Sequence, residues 1–125
     1  SKFDAVTAVS GSGPAFLFRF IEALAGAAES AGLDPEVAQQ LALQTVAGAA
    51  ELARQSDVTP GVLRQQVTSP NGTTQAGLDM LDGDGLLSSL LRSTVRAAAE
   101  RSRALASQAE ALADTSGQRE IAKAG

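Results

Sequence analysis

Hydroxyl side chains crowd into one short stretch of the 125-residue sequence, VTSPNGTTQAGL at residues 67–78. Ser69, Thr73 and Thr74 flank Pro70 and an Asn71-Gly72 pair. Proline and Asn-Gly favour a tight turn, and asparagine tolerates left-handed backbone angles almost as well as glycine. If a helix starts at Thr73, its first N–H groups have no intrahelical acceptor and its dipole adds partial positive charge. With three hydroxyls beside it, such a start could seat a carboxylate or a phosphate without lysine or arginine. The same residues could instead serve only as a helix cap, which is the commoner use of Ser and Thr at this place.

Other chemistry-bearing residues offer less. GSGPAF at residues 11–16 looks like part of a dinucleotide fingerprint, but Phe16 stands where G-x-G-x-x-G needs its third glycine. That pattern must also follow a buried strand inside a βαβ unit, and DAVTAVS is a short strand at most. A glycine hinge before a helix is the simpler reading, although such a hinge lets a ligand approach the backbone closely. Asp79, Asp82 and Asp84 lack the spacing and the closing glutamate of a calcium loop, so a solvated acidic turn is expected. Glu51 reads as a helix-surface charge, as do Arg19 with Glu22 and Glu36 with Gln40. The chain has no histidine and no cysteine. That removes the commonest general base and metal ligand, together with thiol and zinc-thiolate chemistry.

The elements that must hold these residues are helices. Twenty-five alanines and fifteen leucines stand against four Phe and no Trp or Tyr, a composition that favours helix over strand. Residues 1–13 read as a flexible lead-in. Ser12 and Pro14 then open a first helix as N-cap and first-turn residue, and Gly32 closes it. Asp34-Pro35 opens a second helix to about Gln55, and its stretch Val37–Ala50 has no charged residue. A run this short does not span a membrane and suits a helix buried on most sides. Thr59-Pro60 starts a short helix to about Val67, and another runs from Thr73 to about Leu81. Asp82-Gly83-Asp84-Gly85 is a turn. In the last helix, Leu87, Leu91, Thr94, Ala98, Ser102, Leu105, Ala109 and Leu112 recur at three- and four-residue steps, a seam suited to another helix or another chain. The pattern gives one all-α domain over 1–113 and a tail at 114–125 that loses periodicity and is expected to be disordered.

The net charge is −4 and the ten Lys and Arg are scattered, which argues against nucleic-acid binding. No signal peptide or membrane span is legible, and a cytoplasmic protein is expected. Alanine brings little apolar area per residue, so a core shared with a second chain is expected.

Two stretches taken together resemble a known family. TAVSGSGPAFLF at 7–18 and VTSPNGTTQAGLDMLD at 67–82 are similar to the C-terminal domain of pyrroline-5-carboxylate reductase, whose signature usually reads like VTSPGGTT. GLDPEVAQQLALQTVAGAAEL and GLLSSLLRSTVRAAAERSRAL agree as well, in the right order over roughly residues 4–105. The resemblance implies an all-α domain whose helices interleave with those of a second subunit in a homodimer. It implies hydride transfer from NADPH or NADH to the C=N carbon of a cyclic imino acid, giving L-proline. Ser69 would then give a hydroxyl to the substrate carboxylate, with the backbone N–H groups of Thr73 and Thr74. The Thr74 hydroxyl would face the ring nitrogen, Val67 would border the ring, and Gly11, Ser12, Gly13 and Pro14 would lie near the nicotinamide edge.

Two departures qualify this. Asn71 replaces the family's usual glycine, and the Rossmann domain that precedes this one in the family is not in the sequence. The chain is therefore expected to be a fragment without reductase activity of its own. A stand-alone helical dimerisation module explains the seams equally well but not the donors of the SPNGTT turn. A phosphate or nucleotide binder would lack the P-loop lysine.

Overall fold

The computed structural model describes residues 1–124. Among them every regular element is helical. Two compact units emerge, one made of Ser1–Pro14 with the chain from Ser88 onward, the other of Ala15–Leu87.

In the first unit the lead-in is helix rather than flexible chain or strand. α1 (Lys2–Val6) is opened by a capping box in which the Ser1 side chain accepts the Asp4 N–H and the Asp4 side chain accepts from the Ser1 backbone. Reciprocal satisfaction of two orphan donors starts a helix efficiently. α1 passes into a π-helical turn at Thr7–Gly11, which holds the fully buried Ala8. Ser12 is not an N-cap: its angles are helical (φ −88°, ψ −23°) and its N–H donates to the Thr7 carbonyl. The serine-glycine composition of 10–13 signals a break, but the backbone bonds are kept continuous through the wider π turn.

The Asp4 carboxylate ties α1 to the last helix, α6 (Leu86–Ala124). Ser1 Oγ donates to it at 2.8 Å and Ser102 Oγ at 3.0 Å. These bonds, Ser1 first and then Ser102, hold the Asp4 carboxyl below its ordinary value. A depressed carboxyl pKa means that the folded state favours the ion, so the contribution is present above the ordinary aspartate range and is lost as pH falls through the folded value. Acid titration is therefore expected to release α1 from α6, read from the amide signals of residues 2–8. Ser102→Ala is expected to remove that pH-dependent step, because it deletes the Asp4 bond to α6. An unmoved titration would show that Asp4 is not the latch.

α6 continues to Ala124, through the tail expected to lose order from 114; Gly125 lies outside the described residues. Every residue from 103 to 124 is exposed. Loss of apolar periodicity removes a packing face without removing helix propensity, and Ala, Leu, Gln, Glu and Arg keep the segment helical.

The second unit follows its punctuation closely. α2 (Gly13–Ser30) ends in a Schellman motif: Gly32 has φ +107°, its N–H donates to the Glu29 carbonyl, and the Leu33 N–H reaches Ala28. α3 (Pro35–Gln55) and α4 (Pro60–Gln66) both carry proline in their first turn, and Thr59 caps α4 by accepting the Val62 N–H. α5 (Thr73–Asp82) leads into a 3-10 turn at Gly83–Gly85, where Asp84 adopts φ +59°.

The uncharged stretch of α3, residues 37–50, is not buried on most sides. Only Ala38 and Ala42 are buried on it, while Leu41 and Leu43 are about half exposed. Together with Ala8 and Ala25 these are the buried apolar residues of the described chain. Phe3, Val6, Phe18, Leu90 and Leu112 are all more than 60% exposed. An apolar run shows that a face is to be covered, and this chain by itself does not cover it.

Candidate functional site

The turn before α5 is held from both sides. The Gly72 N–H donates to the Ser69 carbonyl at 3.0 Å, Pro70 and Asn71 occupy the corners, and Asn71 has φ +59°. This is the pattern of a type II turn, in which the third residue needs a left-handed backbone. Asparagine supplies it here in place of the expected glycine. Gly72 then takes extended angles (φ −87°, ψ −177°) as the N-cap, and its carbonyl accepts the first helical bond from Ala76 at 3.1 Å.

No side chain caps α5. The N–H groups of Thr73, Thr74 and Gln75 have no acceptor in the described chain, and the hydroxyls of Ser69, Thr73 and Thr74 make no hydrogen bond there. Ordinary capping, the alternative reading of these residues, would have consumed them. Thr59 at the head of α4 does consume its own, with Oγ1 at 3.3 Å from the Val62 nitrogen. The contrast lies within one chain: α1 and α4 spend the hydroxyls of Ser1 and Thr59 on their own backbones, and α5 leaves its hydroxyls exposed. The α5 start thus presents donors and a partial positive charge to the outside.

Val67 sits differently from the other expected site residues. It lines an apolar hollow of about 320 Å³ with Leu52, Pro60 and Leu63, yet the residue is 68% exposed. A second cleft of about 440 Å³, not anticipated from sequence, lies beside α5 and is lined by Arg64, Thr68, Gln75 and Asp79 among others. Arg64, one turn ahead of the loop, was the available signal for it. Gln75 Nε2 donates to Asp79 Oδ1 at 2.7 Å along α5, on one wall of this cleft. Glu51 is held by Arg54 and Gln55 on the surface of α3, and the Arg54 bond keeps its carboxyl below the ordinary range. Arg19 and Glu22 form a loose pair at 3.9 Å.

Gly11, Ser12, Gly13 and Pro14 belong to the other unit. They run through the π turn into α2, and Ser12 has spent its N–H on Thr7. Such a backbone does not form the glycine-rich cradle of a dinucleotide's phosphates. A Cβ on Gly13 would meet nothing within 4 Å.

This combination of helices and loop has counterparts. A family model described as pyrroline-5-carboxylate reductase dimerisation matches residues 1–105. The pyrroline-5-carboxylate reductase of Pseudomonas aeruginosa is 47% identical over 108 residues, covering 86% of this chain and 39% of its own. That of Arabidopsis thaliana is 52% identical over 103 residues, covering 82% of this chain and 37% of its own. Among solved structures, the Plasmodium falciparum pyrroline carboxylate reductase with NADP bound is similar at a TM-score of 0.77 and 37% identity, over 82% of this chain and 38% of that one. The Coxiella burnetii enzyme gives 0.76 and 43%, over 80% and 37%. The chain thus spans less than two-fifths of the length of these relatives. No helix among the described residues is long and apolar enough to cross a membrane. On the match over residues 1–105, this chain belongs to the pyrroline-5-carboxylate reductase dimerisation family.

Proposed function

We propose that this chain is the dimer-forming and substrate-holding part of a reductase that converts 1-pyrroline-5-carboxylate to L-proline. The observation that carries the reading is the unspent set of donors at the start of α5, on the stretch that matches the family signature. The backbone N–H groups of Thr73 and Thr74 and the Ser69 hydroxyl bind the substrate carboxylate, and Val67 borders the ring. Fixing the carboxylate orients the imine carbon, and orientation alone can supply roughly 7–11 kcal/mol of a barrier in the best cases. The Thr74 hydroxyl faces the ring nitrogen.

NADPH or NADH would supply the hydride when bound. Gly11, Ser12, Gly13 and Pro14 are proposed as a wall at the nicotinamide edge, and the phosphates are assigned to parts of the enzyme outside this chain. Two copies complete the core as a homodimer. The alternative, a dimerisation module without a site, leaves the idle donors of the α5 start without a use.

The test is an amide NMR titration of the chain with L-proline and, separately, with phosphate. Shifts at Thr73 and Thr74 with proline alone are expected. Shifts with phosphate alone would replace the reductase reading with an anion binder, and silence from both would leave a dimerisation module.

A further inference from the structure

Gly72 stands in the one glycine position of the described chain where added bulk meets backbone. A Cβ built there would lie 3.2 Å from the Ser69 carbonyl oxygen and 3.3 Å from Ser69 Cβ. Every other described glycine offers either open space within 4 Å or a side-chain contact of 3.6 Å or more. The conformation gives no reason for glycine: φ −87° and ψ −177° are extended angles that any residue adopts. In the Asn71-Gly72 pair the left-handed step falls on Asn71, at φ +59°. What Gly72 contributes is room, and the atoms that use that room belong to Ser69.

We infer that Gly72 is a positioning residue for carboxylate binding: by having no side chain it lets Ser69 fold back over the head of α5, so that the Ser69 hydroxyl shares a ligand with the Thr73 and Thr74 N–H groups. This rests on the substrate-site reading above. The geometry explains why the site needs glycine next to a residue that already makes the turn. The Gly72 N–H to Ser69 carbonyl bond at 3.0 Å closes the turn, and contacts between 3.0 and 3.4 Å leave no slack for a methyl group without moving the serine. Because the obstacle is a backbone carbonyl and a Cβ, no rotamer change relieves it. The consequence is local. Gly72 is half-buried and lies outside the buried alanines, so a substitution there leaves the buried core untouched.

The test is a double-mutant cycle on the full chain with L-proline as the probe, read by amide shifts at Thr73 and Thr74. Gly72→Ala is expected to weaken proline roughly tenfold to a hundredfold, the size of one lost hydrogen bond to a charged group. Ser69→Ala is expected to weaken it by a similar factor. The combined variant is expected to be no weaker than Ser69→Ala alone, because Gly72 acts through Ser69. Losses that multiply would overturn the inference, since a general loosening of the loop would act whether or not the hydroxyl is present. Undiminished binding by Gly72→Ala would overturn it too, leaving the carboxylate site intact. Should Gly72→Ala fail to fold, Ser69→Ala in the unmodified loop decides: no loss there removes the residue through which Gly72 acts. Absence of proline binding by the unmodified chain would instead bring down the substrate-site reading, and the inference with it.

Discussion

Diluting the chain a hundredfold is expected to lower its thermal unfolding midpoint by about 5 °C. A monomer's midpoint does not depend on concentration, whereas a dimer that folds only as a dimer loses RT ln 100, about 2.7 kcal/mol per dimer, over that range. The surface motivates the expectation. Its chemistry is right for association, since the exposed residues include Phe3, Phe18, Leu90 and Leu91. Four buried alanines supply too little apolar area to offset the ordering of over a hundred residues. Calorimetry at two concentrations decides the matter, and a midpoint unchanged within a degree would mean that the chain is stable as a monomer.

Helix boundaries in the second unit were readable because each is set by one residue with one physical role. Gly32 is the left-handed step that ends α2, and Pro35 and Pro60 sit where a missing N–H costs nothing. The first thirteen residues misled because two signals compete there. Ser10-Gly11-Ser12-Gly13 reads as a break, while in the structure Ser1 and Asp4 cap the start of α1. The capping pair prevails, and the small residues are absorbed into a π turn. Residues 114–124 show the other limit. Periodicity reports which face is packed, and a helix with no packed face has none to report.

At the site, the loop and its hydroxyls were legible as a set, but their division of labour was not. Asn-Gly signals a turn without saying which residue takes the positive φ. Only coordinates assign that angle to Asn71 and leave Gly72 with a steric task. The uncharged stretch of α3 was legible as a face to be covered. What covers it is not encoded in the spacing of one chain, because a second copy and a neighbouring helix leave the same pattern.

Joined to the part of the Pseudomonas aeruginosa reductase that precedes its matched region, this chain is expected to turn over 1-pyrroline-5-carboxylate, while the chain alone shows no NADPH- or NADH-dependent reduction. Within that fusion, Thr74→Val is expected to lower kcat tenfold to a hundredfold and to leave KM nearly unchanged, on the scale of about 1.5–3 kcal/mol for one hydrogen bond in a charged setting. The split follows from when each hydroxyl acts. On the proposed assignment Ser69 would hold a carboxylate that carries the same charge before and during reaction, so Ser69→Ala is expected mainly to raise KM. The nitrogen beside Thr74 changes. As hydride adds to the imine carbon, the C=N electron pair moves onto nitrogen, which passes from a cation with no lone pair to an amine with one. On the same assignment that lone pair would accept a hydrogen bond from the Thr74 hydroxyl, an interaction gained only on the way to the transition state, and such interactions raise kcat. Thr74→Ser keeps the hydroxyl and is expected to retain most of the rate. Equal losses for serine and valine would mean that Thr74 contributes its methyl group or its backbone, and a KM effect without a kcat effect would move its hydroxyl from the ring nitrogen to the carboxylate.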